Sequence, residues 1–222
     1  MRVLNLYSGI GGNRKLWKGV KVTAVELDSE IAEVYQDFFP DDQVIVADAH
    51  KYLLDHYDED WDLIWSSPPC PSHSRIRYAF GVRGGKTEAI YPDMSLWQEI
   101  IFLQHHAGYK WVVENVIPYY PPMFPPSYRS NKHYLWSNFH ISKLEIEATG
   151  IAEVPDRSVN NKTIEELEKF HGFDLSDYDI DKYKALRNCV NPKLGKHILD
   201  CMRSFRTLDF FISGDSFLEE EL

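Results

Sequence analysis

The chain has 222 residues, of which 44% are hydrophobic and 26% charged, and its formal net charge at pH 7 is −10. This length suits one sizeable domain with a substantial core and leaves no room for two full-sized domains. Three scattered cysteines exclude a disulfide framework, and none forms a CxxC pair of the kind that binds zinc. Because no stretch approaches the length of a spanning helix, we expect a cytoplasmic protein with neither a metal nor a membrane partner.

Short apolar runs alternate with helical patterns along the first half of the chain. The runs predict strands at 3–6, 22–25, 43–46, 62–65 and 110–113, separated by helices at 12–18, 29–38, 50–56 and 94–106. This βαβ alternation predicts an α/β protein with a doubly wound, mostly parallel sheet.

The second half of the chain has a weaker pattern. A basic loop at 72–92 that contains three glycines is predicted to act as a lid, and the proline-rich segment 118–126 to be a rigid connection. Strand pieces are expected at 133–136 and 139–141, and helices at 163–169 and 192–205.

Five chemically capable side chains fall at or just after the ends of predicted strands: Tyr7, Glu26, Asp48, Cys70 and Glu114. In a doubly wound sheet, ligands bind outside the carboxyl ends of the strands. The sequence therefore predicts one binding site at this edge.

A Gly-rich turn at residues 7–12 follows the first strand and can bring backbone amides close to a ligand, although a tight strand-to-helix connection explains it equally well. Glu26 is placed to bind both hydroxyls of a ribose. Asp48 could accept from an adenine amino group or cap the helix that begins near His50. Together these acceptors fit an adenosine-bearing cofactor better than a phosphate ligand, since no Lys of the GK[ST] type is present.

Cys70 follows two prolines where an apolar run stops, so a stiff loop holds it at the rim of the sheet. An isolated cysteine is more often an inert small hydrophobe. As a nucleophile it would need thiolate character, which Arg75 or Arg77 could promote, and Glu114 could serve as the acid. Such a pair can attack C6 of cytosine, protonate N3 and activate C5 for methylation.

Positive charge is concentrated just after Cys70, although the whole chain is acidic. A solvated face is the ordinary explanation of such a cluster. Its position beside the nucleophile nevertheless predicts contacts to a nucleic acid. The residues assigned to these contacts are Ser72, Ser74, Arg75, Arg77, Arg83 and Lys86.

Taken in order, these motifs resemble the cytosine-C5 DNA methyltransferase family, which uses S-adenosylmethionine. The matching segments are Tyr7-Ser8-Gly9-Ile10-Gly11-Gly12, Glu26-Leu27-Asp28, Asp48, Pro68-Pro69-Cys70, Glu114-Asn115-Val116, the ninth-motif spacing of Thr163, Glu166, His171 and Phe173, and Asn188-Cys189-Val190-Asn191-Pro192. The resemblance implies a Rossmann-like class I methyltransferase fold. It also implies cofactor contacts from Tyr7, Ser8, Gly9, Ile10, Gly11, Gly12, Glu26, Leu27, Asp48, Ala49, Pro69, Asn188 and Val190.

The chain departs from the family pattern at several positions. Pro71 and His171 stand where the family usually has Gln, and the paired arginines of the eighth motif are blurred into residues 129–133. We expect Arg129 to contact the cytosine O2 and to complete a catalytic set with Cys70 and Glu114.

The target-recognition domain of the family is reduced here to residues 142–161. The implied division is a catalytic and cofactor-binding core at 1–141, this vestigial segment, C-terminal motifs at 162–210 that return to the core, and an acidic tail at 211–222. With so little recognition surface, specificity should be short or relaxed, unless a separate polypeptide supplies it.

The sequence thus predicts a cytosine-C5 methyltransferase of reduced size that acts on double-stranded DNA by flipping the target base. An RNA cytosine-C5 methyltransferase would use the same ring chemistry. A catalytically silent nucleic-acid-binding subunit of a modification complex is a third reading, which the intact Cys70 and Glu114 oppose.

Overall fold

The computed structural model describes residues 1–130, 132–144 and 161–212. Within these ranges seven strands form one sheet: β1 (Arg2–Leu6), β2 (Lys21–Glu26), β3 (Gln43–Val46), β4 (Leu63–Ser66), β5 (Lys110–Val116), β6 (Tyr128–Arg129) and β7 (His133–Ser137). The α-helices are α1 (Ser29–Phe38), α2 (Ala49–His56), α3 (Ser95–His106), α4 (Asn161–His171), α5 (Lys182–Arg187) and α6 (Pro192–Ile212).

The strands follow the order β3-β2-β1-β4-β5-β7-β6. The first five in this order run parallel, whereas β7 is antiparallel to β5 and β6 is antiparallel to β7. β1 lies between β2 and β4, so the chain winds outward in both directions from it. This arrangement confirms the doubly wound, mostly parallel sheet, and it places the carboxyl ends of β1, β2, β4 and β5 along one edge.

Both faces of the sheet are covered, which explains why the central strands are apolar throughout. Val3 and Val112 point to the face packed against Ile198 of α6. Their neighbours Leu4 and Val113 point to the opposite face, beneath α2 and α3. Because consecutive side chains leave a strand on opposite sides, burial on both faces requires an uninterrupted apolar run.

The prediction of a helix at residues 12–18 is wrong, because this segment forms a series of turns. The start of α6 packs directly against it. A Cβ at Gly195 would lie 2.2 Å from the Asn13 carbonyl oxygen. Trp17 of the same segment donates from Nε1 to the Gly195 carbonyl at 2.9 Å. Long-range packing has overridden the local helical pattern.

Residues 139–141 were predicted as a strand, but they pair with no other strand in the described part of the chain. Phe139 and Ile141 are buried against the α6 side of the sheet, which accounts for their apolar alternation. The basic loop contains one π-helical turn, Arg77–Val82. Of the predicted recognition segment 142–161, residues 145–160 lie outside the described residues, as do residues 213–222 of the acidic tail.

No helix in the described ranges has the length and apolar character to cross a bilayer. Nor do the described residues contain a group of three or more His, Cys, Asp or Glu side chains that could hold a metal ion.

A third apolar cluster joins the C-terminal helices to α1. It contains Val34 of α1, Leu167 of α4, Leu186 of α5 and Phe173 of the intervening loop. His171 is 7% exposed at the end of α4. Its burial lowers the pKa of the imidazole to about 4, so it is neutral in the folded protein.

Replacing Gly195 by Ala should destabilise the protein by about 1–3 kcal/mol, because the new methyl would meet backbone rather than a flexible side chain. Urea unfolding followed by circular dichroism measures this loss. Gly108→Ala is the matched control, since a Cβ at Gly108 would meet nothing within 4 Å. Equal stability of the two variants would contradict the close approach of α6 to Asn13.

His171 should make the fold acid-sensitive. An unfolded chain takes up a proton on histidine at an ordinary pKa near 6.5, whereas folded His171 does so only near 4. Protonation therefore favours unfolding, and the free energy of unfolding should fall by up to about 3 kcal/mol between pH 6.5 and 4. In His171→Gln this contribution is removed, so unfolding measured across that range should show a shallower decline. Identical pH profiles for the two proteins would refute the assignment.

Candidate active site at the carboxyl edge of the sheet

Cys70 lies in a loop that β4 and β5 hold together. Asn115 of β5 donates from Nδ2 to the Pro68 carbonyl at 2.8 Å. Two residues beyond the cysteine, Ser72 accepts from the Asp93 backbone N–H at 2.9 Å. The prolines stiffen the chain between these points, so the thiol has a defined position above the sheet edge.

His73 anchors the same loop from below, and sequence reasoning missed it. Its backbone N–H donates to the Cys70 carbonyl at 3.0 Å. The buried ring shares a hydrogen bond at Nδ1 with the Tyr120 hydroxyl, at 2.5 Å, and packs edge-on against Trp97. Burial lowers the pKa of His73, which favours the neutral imidazole. A histidine in this position has no sequence signature, because its partners come from distant segments.

Cys70 is half-buried. Burial raises the pKa of its thiol, the nearby Glu114 carboxylate raises it further, and the Arg187 guanidinium partly opposes both effects. The sequence pointed instead to Arg75 and Arg77 as the cations beside the thiol. In the structure Arg75 is exposed, and Arg77 donates from Nη2 to the Glu88 carbonyl at 2.8 Å.

Glu114 is 6% exposed on β5, close enough to Cys70 for their charges to interact. Its carboxylate oxygen Oε1 lies 3.6 Å from Nδ1 of His133 on β7. The expected third member, Arg129, is not brought to this pair. Arg129 lies opposite Tyr134, and Tyr134 lies opposite Asn115, so these three side chains share one face of the sheet. The side chain of Glu114 leaves β5 on the other face.

The Gly-rich turn after β1 is an irregular, left-handed stretch of backbone. Tyr7, Gly9 and Gly11 all have positive φ, at 56°, 53° and 84°. A Cβ at Gly9 would meet nothing within 4 Å, so this part of the turn borders open space. The Ser8 hydroxyl is buried and has no hydrogen-bond partner among the described residues. Glu26 accepts from the Gly9 backbone N–H at 2.9 Å.

The other glycines of the turn serve packing. A Cβ at Gly11 would lie 2.3 Å from the Phe39 ring. At Gly12 it would lie 2.3 Å from both the Cys189 sulfur and the Val190 carbonyl oxygen. The segment after α5 is therefore seated directly on the turn, as the expected return of the C-terminal motifs to the core requires.

Two of the predicted cofactor residues direct their side chains into the core. Ile10 belongs to the cluster around Val34, and Ala49 belongs to the cluster beneath α2 and α3. Only their backbone atoms can reach a ligand at the edge. Three other members of the predicted set, Leu27, Pro69 and Asn188, are exposed.

Two carboxylates of the predicted cofactor-binding set also accept hydrogen bonds from backbone N–H groups close to them in the chain. Asp48 is the N-cap of α2 and accepts through Oδ1 from the Lys51 N–H at 3.0 Å. Glu26 accepts through Oε1 from the N–H groups of Leu27 and Asp28, at 2.9 and 3.1 Å. These bonds hold the acceptors in fixed positions at the ends of their strands.

A buried carboxylate on α3 supports the floor of the site. Glu99 accepts from the Tyr7 hydroxyl at 2.6 Å and from the Ser66 hydroxyl at 2.5 Å, and lies 2.9 Å from His50 Nδ1. The hydrogen bond to Glu99 raises the pKa of His50, and burial together with Glu99 raises that of Tyr7. A carboxylate on the apolar stripe of a helix, one turn from Leu96, is a signal that sequence reasoning could have used.

The basic loop is ordered by contacts of its own. Ser74 accepts through its hydroxyl from the Arg77 N–H at 3.3 Å, and Tyr78 stacks on Tyr119 with ring centroids 4.4 Å apart. The cations Arg75, Arg83 and Lys86 are exposed, so they can reach a partner molecule.

The part of the chain that carries the Gly-rich turn, Cys70 and Glu114 is similar to known proteins. The family model described as C-5 cytosine-specific DNA methylase matches residues 1–116. A tRNA (cytosine(38)-C(5))-methyltransferase of Homo sapiens is 27% identical over 122 residues, which cover 50% of this chain and 31% of the human protein. The enzyme of the same name from Mus musculus is 31% identical over 126 residues, covering 50% of this chain and 29% of its own. The match therefore spans about a third of the length of these relatives.

A solved structure of the Entamoeba histolytica methyltransferase EhMeth resembles this fold over most of the chain. It covers 91% of this chain and 97% of its own, with a TM-score of 0.52 and 13% sequence identity. At that identity the likeness concerns the fold, which is that of a Rossmann-like class I methyltransferase. The family match covers more than half of the 222 residues and includes the Gly-rich turn, the Pro68-Pro69-Cys70 loop and the strand that bears Glu114, so the chain belongs to the C-5 cytosine-specific DNA methylase family.

Proposed function

We propose that this protein transfers a methyl group from S-adenosylmethionine to C5 of a flipped cytosine in double-stranded DNA, through a covalent adduct with Cys70. The observation that carries the proposal is the placement of Cys70 beside Glu114, next to the turn after β1. The family model, described as a DNA methylase, supports DNA as the substrate.

Cys70 and Glu114 divide the chemistry of the ring between them. As the Cys70 sulfur forms a bond to C6, its proton passes to the Glu114 carboxylate. The π electrons move through C5 and C4 to N3, and N3 takes the proton from the Glu114 carboxyl. C5 thereby becomes the nucleophilic carbon of an enamine. After methylation, C5 loses its proton to solvent, the Cys70 sulfur leaves C6, and the N3 proton returns through Glu114 to the thiol, which restores the aromatic ring and frees the enzyme.

The turn after β1 fits an adenosyl cofactor. Gly9 borders open space, and the buried Ser8 hydroxyl still lacks a partner within the described residues. Glu26 and Asp48 are fixed acceptors at the ends of adjacent strands, suited to ribose hydroxyls and an adenine amino group, and exposed Leu27 can cover the base. S-adenosylmethionine would supply here an electrophilic methyl group carried on a sulfonium.

A second candidate substrate is RNA. The curated relatives from Homo sapiens and Mus musculus are named as tRNA (cytosine(38)-C(5))-methyltransferases. The ring chemistry is the same in both cases, and the exposed cations Arg75, Arg83 and Lys86 can contact the phosphates of either polymer. A separate polypeptide that supplies sequence recognition is compatible with both substrates.

Substrate class is tested by supplying radiolabelled S-adenosylmethionine with duplex DNA, transcribed tRNA or free cytidine nucleotides. We expect label in DNA, and a covalent, denaturation-resistant adduct with duplex DNA that contains 5-fluorocytosine, because fluorine blocks the loss of the proton from C5. Cys70→Ser should form no adduct. Label in tRNA alone would favour the RNA reading, and an adduct with Cys70→Ser would overturn the assignment of the nucleophile.

The thiol itself should be reluctant to ionise before substrate binds. Since burial and Glu114 raise the pKa of Cys70, its alkylation by iodoacetamide should reach half-maximal rate above about pH 8.5, the ordinary value for a free thiol. Glu114→Gln should move this midpoint down by removing a negative charge, and Arg187→Gln should move it up. Peptide mass spectrometry separates Cys70 from the other cysteines. A midpoint below pH 8 in the unmodified protein would contradict the structure.

A further inference from the structure

The contact between Glu114 and His133 joins two strands that run in opposite directions. β5 and β7 are antiparallel, with Glu114 opposite Leu135 and Val116 opposite His133. The two side chains are therefore diagonal neighbours on one face of the sheet, a spacing that long side chains can bridge. Their nearest polar atoms, Oε1 and Nδ1, are 3.6 Å apart.

The two partners differ in their access to the site. The Glu114 side chain is 8% exposed, whereas that of His133 is 38% exposed. His133 is therefore the more solvent-accessible of the two. Cys70 is close enough to the same carboxyl for their charges to interact, so both a thiol and an imidazole are neighbours of Glu114.

Loss of the proton from Glu114 gives the His133 imidazole a role in the reaction. When Glu114 passes its proton to N3 of the ring, a carboxylate is left in a largely buried position. Burying an unpaired charge is costly, and a nitrogen donor at Oε1 reduces that cost. The same donor fixes one oxygen of Glu114, so the other can point at the ring.

We propose that His133, rather than Arg129, is the positioning residue for the Glu114 acid, donating from Nδ1 to Oε1 as the proton leaves. This inference rests on the proposed function. The 3.6 Å separation lies slightly beyond hydrogen-bond range, and such catalytic contacts often tighten only when substrate is bound. Arg129 cannot perform this task from the edge strand, because its side chain leaves the sheet on the other face.

The test measures the rate of adduct formation with 5-fluorocytosine DNA under single-turnover conditions. His133→Ala should slow this step about 10- to 100-fold, as happens when the partner that orients a metal-ligating side chain is removed, and the Kd for S-adenosylmethionine should be unchanged. His133→Asn should recover most of the rate, since the Asn amide nitrogen can occupy the place of Nδ1. His133→Gln places its amide nearer the position of Nε2 and should recover little. The exposed residue His140 provides the control, and His140→Asn should match the unmodified protein.

A double-mutant cycle separates positioning from simple structural support. In a Glu114→Gln background, His133→Ala should cause no further loss, because there is no acid left to position. Additive losses in the two variants, equal rates for His133→Asn and His133→Ala, or a large loss in Arg129→Ala with none in His133→Ala would each overturn the inference. An unmodified protein that forms no adduct with DNA or RNA would overturn the proposed function as well. Adduct formation that is indifferent to His133 would overturn the inference alone.

Discussion

The hydrogen bond from Asn115 to the Pro68 carbonyl is the link on which the geometry of this site depends. Asn115 is 2% exposed, and its own side-chain oxygen accepts from the Val116 N–H. Loss of this amide would leave a buried carbonyl unpaired, at a cost of about 1–3 kcal/mol. Because Glu114 and Asn115 are consecutive residues of one strand, they point in opposite directions. A single strand can thus present Glu114 on one face and, from the other, hold the loop that carries Cys70.

The Gly-rich turn beside the candidate site packs against residues from the other end of the chain. Gly12 has no room for a side chain because Cys189 and Val190 pack onto it, and Gly195 has none because of Asn13. The turn after β1 is thereby clamped by residues nearly 180 positions away in the sequence. Without the C-terminal segments, the turn after β1 would lose one of the walls against which it packs.

The site also depends on buried polar groups that never need to touch a substrate. Glu99 joins Tyr7, Ser66 and His50, and in doing so ties α3 to the ends of β1 and β4 and to the start of α2. His73 contacts Tyr120 beneath the loop that carries Cys70. The Glu99 carboxylate has three partners, and a buried polar network satisfied in this way holds the surrounding loops in one arrangement.

The sequence by itself determined the α/β class, the alternation of strands and helices between residues 22 and 113, and the position of Cys70 and Glu114 at the ends of neighbouring strands. These features follow from local properties of the chain: the spacing of apolar residues, the two prolines before Cys70, and side chains able to act as a nucleophile or an acid at the ends of strands. It could not determine that residues 12–18 are turns, that Arg187 rather than Arg75 or Arg77 lies near the thiol, or that His133 and not Arg129 shares a face with Glu114. Only the tertiary structure decided these points. Strand register assigns each side chain to a face, and packing between distant segments decides which charges meet; neither is encoded in the spacing of neighbouring residues.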